Sequence, residues 1–149
     1  MRRISRAAIG AVALVTVLAT AGAAHADTVD TNGRWAEVTQ TTADGWASAF
    51  LQFVDASGNP INDKTTPAFV QATFQSVQTG YTLEGWLQRS TDGGANWKQI
   101  SGTHVLSTTL TSVDDSMTDR YYDGPGYLAQ ACFKFTSWAG AATHCSPAI

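Results

Sequence analysis

Two histidines, two glutamates and ten aspartates supply the imidazoles and side-chain carboxylates in the last 123 residues of this 149-residue chain. A nucleophilic triad needs His104 or His144 beside a serine, with an acid behind it. No G-x-S-x-G elbow, H-E-x-x-H or H-x-H spacing occurs, so both histidines read as packing or surface residues. A glycosidase sets two carboxylates across a cleft, and nothing in the sequence brings Glu37 to Glu84. Asp114, Asp115, Asp119 and Asp123 crowd four carboxylates into ten residues, oxygen donors of the kind calcium takes. They lack EF-hand spacing. The segment is expected to be a solvated connection, with Asp114, Asp115 and Asp119 as weak calcium candidates. No enzyme, no metal and no cofactor is expected.

The cysteines and aromatics say more. Cys132 and Cys145 stand 13 apart, a spacing that suits a hairpin disulfide in an exported chain. If the two face each other, Lys134 faces Thr143 and Thr136 faces Ala141, leaving Ser137 to Gly140 as the loop. Such a bridge is worth roughly 3 kcal/mol. Five tryptophans, at 35, 46, 86, 97 and 138, are many for this length. Trp138 falls at the tip of that braced hairpin, where an aromatic can anchor a sugar or a protein partner. Tyr121, Tyr122 and Trp86 are the accessory candidates.

The elements that must position these residues are strands. No window keeps a helical period, while Thr, Val, aromatics and Gly alternate between turn clusters about every ten residues. Strands are expected near 34–41, 46–54, 68–77, 81–89, 96–100, 104–113, 126–136 and 140–146. About eight short strands imply one all-β domain, a single antiparallel β-sandwich. Alternation turns Val70, Ala72 and Phe74 one way, and Tyr127, Ala129, Ala131, Phe133 and Phe135 inward. In the strand at 81–89 it puts Trp86 with Thr82, Glu84 and Gln88 on the polar side. Either a bulge at Gly85 turns Trp86 inward, the favoured expectation, or Trp86 is displayed to solvent.

The amino terminus reads as a secretory signal peptide. Arg2, Arg3 and Arg6 precede an apolar run too short to span a bilayer, and Ala24-His25-Ala26 offers a small-x-small cleavage site. Cleavage after Ala26 leaves residues 27–149. With the three leader arginines gone, 6 basic residues face 12 acidic ones and the formal charge moves from −3 to −6. An acidic exported domain argues against nucleic acid as partner, and no membrane anchor is expected.

Two local patterns resemble known motifs. Ser90-Thr-Asp92-Gly-Gly94-Ala-Asn-Trp97 resembles the S-x-D-x-G-x-x-W Asp-box of sialidases and other β-propellers. The resemblance implies a hairpin in which the Asp caps turn amides, a Gly takes positive φ and the Trp packs under the turn. One copy implies neither a propeller nor sialidase activity. Asp123-Gly-Pro-Gly-Tyr127 resembles the tyrosine corner of immunoglobulin-type sandwiches. It implies an Ig-like or fibronectin-III-like frame, although Ala129 stands where the immunoglobulin cysteine would. The whole chain, with its Ala-rich leader and its Gly126–Phe135 ending, resembles small exported β-sandwich proteins of actinomycete type, which implies secretion and no particular activity. The expectation is a secreted, extracellular, non-enzymatic binding module for a polysaccharide or a protein. The alternatives are a small secreted inhibitor or antimicrobial protein and, more weakly, a hydrolase.

Overall fold

Strict alternation of small or apolar residues with polar ones builds this molecule. A computed structural model describes residues 24–42, 45–61, 68–77, 80–108, 113–136 and 141–149, and among them the chain is all-β. The strands are β1 (Ala24–Val29), β2 (Trp35–Thr42), β3 (Gly45–Val54), β4 (Phe69–Ser76), β5 (Tyr81–Ser90), β6 (Lys98–Gln99), β7 (His104–Thr108), β8 (Asp114–Met117), β9 (Tyr121–Tyr122), β10 (Leu128–Phe135) and β11 (His144–Cys145). They form two antiparallel sheets. The first runs β1-β2-β3-β4-β8, with β9 also on β4. The second runs β11-β10-β5-β6, with β7 also on β5.

The sheets face each other as a β-sandwich. Ala36, Val38, Ala49, Leu51, Phe53, Val70, Ala72 and Phe74 come from the first sheet, and Leu83, Leu87, Leu106, Ala131, Phe133 and Phe135 from the second, into one core. Large rings set against alanines let the layers interdigitate. A close approach between the sheets fixes Gly85. A Cβ there would lie 2.5 Å from the Phe74 ring, so only glycine lets that ring sit against the facing sheet.

That close approach also corrects the expected bulge. Leu83, Glu84, Gly85, Trp86 and Leu87 pair in unbroken register with Phe135, Lys134, Phe133, Cys132 and Ala131. Gly85 therefore faces inward and Trp86 outward, beside Glu84 and Gln88. Cys132 is bonded to Cys145 directly across the β10–β11 pair, with Phe133 opposite His144, the register the spacing implied. Trp86 is register partner to Cys132 on the same outer face, and Cys132 is fully buried.

The acidic connection is the second correction. Asp114–Met117 and Tyr121–Tyr122 are two pieces of one edge strand along β4. Between them three residues oppose two, a β-bulge. Thr118 fills it: its N–H donates to the Ala72 carbonyl (2.9 Å), and its Oγ1 accepts from the Ala72 N–H (3.1 Å). The same device recurs twice in the second sheet. The Ser101 Oγ accepts from the Leu87 N–H (2.8 Å), and the Ser146 Oγ from the Ala131 N–H (3.1 Å). All three hydroxyls are buried and donate a hydrogen bond to the carbonyl of, respectively, Asp119, Gly102 and Pro147.

β1 begins inside the expected leader. Ala24, His25 and Ala26 pair with Thr41, Gln40 and Thr39, and Asp27 to Val29 continue the ladder to Ala36. Cleavage after Ala26 leaves three of those six pairs.

Candidate functional site

The outward positions of the first sheet gather aromatics among amides and hydroxyls. Since Ala36, Leu51 and Val70 point into the core, their strand neighbours Trp35, Phe50, Gln52 and Phe69 point away from it. Register places Trp35 beside Gln52 and then Gln71, and Glu37 beside Phe50, Thr73 and Met117. Val54, Phe69 and Tyr122 form the last row. The Trp35 and Phe50 rings lie 5.7 Å apart and tilted by 31°. Met117 and Tyr122 are 55% and 49% exposed, which makes this face more apolar than a solvated sheet needs to be.

A cleft of about 210 Å³ opens at the end of this face, lined by Arg34, Trp35, Gln52, Phe53, Pro60 and Ile61. Two Asp-anchored turns hold its walls. In the β1–β2 turn the Asp30 carboxylate accepts from Arg34 Nε (2.7 Å), Arg34 Nη2 (3.1 Å) and the Asn32 N–H (3.1 Å). After β3 the Asp55 carboxylate accepts from the Asn59 N–H (2.9 Å), Asn59 Nδ2 (3.0 Å) and the Ser57 N–H (2.7 Å). That turn brings Pro60 back against Val54, and the Ile61 N–H donates to the Phe53 carbonyl at 3.1 Å. Gly33 and Gly58, at φ +64° and +91°, supply the left-handed residue each turn requires.

The Asp92 turn between β5 and β6 repeats the scheme. Its carboxylate accepts from Ser90 Oγ (2.6 Å), Asn96 Nδ2 (2.6 Å) and the Asn96 N–H (2.9 Å), while Ser90 Oγ accepts from the Gly94 N–H (2.9 Å). In all three turns the Asp meets a side-chain donor four residues on. Hydrogen bonds to the charged form hold these acids low. The Arg34 side chain draws Asp30 to about 2, and Ser90 and then Asn96 draw Asp92 to about 2. The Asn59 side chain lowers Asp55.

Those expected site residues that are described, Tyr121, Tyr122 and Trp86, do not converge. Trp138 lies outside the described residues. The Tyr122 carbonyl accepts from Arg89 Nη1 at 2.6 Å. Tyr121 turns its ring toward the core. Tyr122 packs edge-on to Phe69 and Tyr127, and Gly124 makes room for it, since a Cβ there would lie 2.7 Å from its hydroxyl. Arg89 stacks on Tyr127 at 4.6 Å.

Trp86 is on the outer face of the other sheet, with Lys134 Nζ 6.0 Å from its ring centre. It therefore shares no face with Tyr122. Alternation along β8 sends Asp114 and Asp115 to opposite faces, with Asp119 in the bulge beyond. Among the described residues no three His, Cys, Asp or Glu side chains group to hold a metal ion. His104 bridges the sheets instead: its Nδ1 lies 2.8 Å from Ser116 Oγ and its ring packs on Phe74. His144 packs on Phe133.

Arg34, Trp35, Phe50 and Gln52 were not singled out by the sequence. The signal was present in alternation, since Trp35 shares a face with Glu37 and Thr39 rather than with Ala36 and Val38. Compared with protein-family models, curated proteins and solved structures, the chain matches none. Among the described residues no helix is long and apolar enough to cross a membrane.

Proposed function

We propose that the protein is a secreted, non-enzymatic binding module that recognises an extracellular polysaccharide or protein through aromatic side chains on a rigid Ig-like frame. The observation that carries this reading is the outer face of the first sheet. Trp35, Phe50, Phe69, Tyr122 and Met117 stand there among Gln52 and Thr73, so apolar contact and hydrogen bonding are offered side by side. Rings on strands lose little conformational freedom when a ligand lands on them. The buried Cys132–Cys145 bridge and the absence of a free thiol among the described residues suit an oxidising, extracellular setting.

The test is retention of the purified chain on insoluble polysaccharides and on immobilised extracellular proteins. A Trp35→Ala/Tyr122→Ala variant serves as the control. Retention lost in the variant supports the reading. Retention by neither matrix, or retention equal in both chains, contradicts it.

A further inference from the structure

We propose that the cleft beside Trp35 binds one uncharged pyranose ring of a glycan. The proposal rests on the binding-module reading above and assigns that module a site and a ligand class. At about 210 Å³ the cleft is smaller than the ~300–1,000 Å³ that encloses a drug-sized molecule, so it takes one ring or one side chain. Its surfaces are of two kinds. Trp35, backed by Phe50 at 5.7 Å, together with Ile61 and Pro60, gives an apolar platform and wall. Gln52, the register partner of Trp35, gives a carboxamide with no hydrogen-bond partner among the described residues. A pyranose matches both, with an apolar C–H face for the ring and a rim of hydroxyls for the amide.

Charge narrows the class. The Arg34 guanidinium lines the cleft, but Nε and Nη2 are both bonded to Asp30, so the positive charge is already matched. Among the described residues an anionic sugar finds no uncompensated cation there. Chemistry also separates a sugar from a protein side chain. An apolar side chain filling the cleft buries the Gln52 amide unpaired, which is unfavourable, whereas a hydroxyl pairs with it. The walls are set before ligand arrives, because the Asp30 and Asp55 turns are each closed by several hydrogen bonds.

The experiment is titration calorimetry of the disulfide-bonded protein with cello-, xylo- and malto-oligosaccharides and with a polygalacturonate. At least one neutral oligosaccharide is expected to bind, and more tightly than the polyuronate. Trp35→Ala and Gln52→Leu should each weaken it by about tenfold or more. Lys98→Ala, exposed on the other sheet, should leave it unchanged. Urea midpoints of the variants separate loss of ligand from loss of fold. Binding that both cleft variants leave unchanged places the site elsewhere and overturns the proposal while the binding-module reading stands. Preference for the polyuronate, or no neutral glycan bound, also overturns it. Retention on an immobilised protein then decides whether the module reading survives.

Discussion

Thr118→Val is an informative single change in this fold. The substitution is nearly isosteric and keeps the buried methyl, but it removes the hydroxyl that accepts from the Ala72 N–H at 3.1 Å and donates to the Asp119 carbonyl at 2.8 Å. Ala72 and Thr118 are 0% and 3% exposed, so no water replaces the lost acceptor. A buried N–H left without a partner costs about 1–3 kcal/mol. Thr118→Ser keeps the acceptor and removes one buried carbon, worth about 0.8 kcal/mol. Valine should therefore be the more harmful of the two, although it is the larger and more apolar residue. With a urea slope of ~2 kcal/mol per M, a loss of ~2 kcal/mol lowers the midpoint by about 1 M at constant slope. Equilibrium urea unfolding followed by tryptophan fluorescence reads both variants. A valine variant as stable as the parent, or more stable than the serine variant, refutes the idea that the hydroxyl substitutes for a ladder carbonyl.

Three further outcomes follow from the same structure. Gly85→Ala should destabilise by ~1–3 kcal/mol or more, because its Cβ would lie 2.5 Å from the Phe74 ring; Phe74→Leu in the same chain should recover part of the loss in a double-mutant cycle. Replacing Cys132 and Cys145 together by Ala opens a 13-residue separation and should cost about 3 kcal/mol in urea unfolding under non-reducing conditions. Asp30 and Asp92 titrate near 2 in the folded chain against 3.8 ordinarily, so their contribution is complete above about pH 4 and fades as pH falls toward 2. Urea midpoints measured across that window should drop less steeply in an Asp30→Asn/Asp92→Asn chain.

Much of the frame was legible because alternation is a property of each strand alone. Val70, Ala72 and Phe74, and the inward row from Ala129 to Phe135, were assigned faces before any partner was known, and the core contains them, whereas Tyr127 at the head of that row packs under Arg89 instead. The Cys132–Cys145 register followed from loop length in the same way. What failed depended on a neighbour. Gly85 was read as a strand defect, whereas its missing Cβ admits Phe74 from the opposite sheet. Asp114–Met117 and Tyr121–Tyr122 carry no apolar alternation, since an edge strand can be held by its backbone and by Thr118 rather than by buried side chains. The cleft depends on neighbours in the same way. Trp138 and Trp86 drew attention as single residues, while the pairing of Trp35 with Gln52 and the approach of Phe50 exist only once β2 and β3 are in register.

The claim that the outer face of the first sheet is the recognition surface is tested most directly by mapping a bound ligand on the amide spectrum of the labelled protein. Titration with whichever neutral oligosaccharide calorimetry selects should move the backbone resonances of Arg34, Trp35 and Ile61, the Trp35 indole N–H and the Gln52 side-chain amide. Residues around Trp86 and Lys134 on the other sheet should stay in place. Shifts gathered around Trp86, or spread without regard to the cleft, contradict the account.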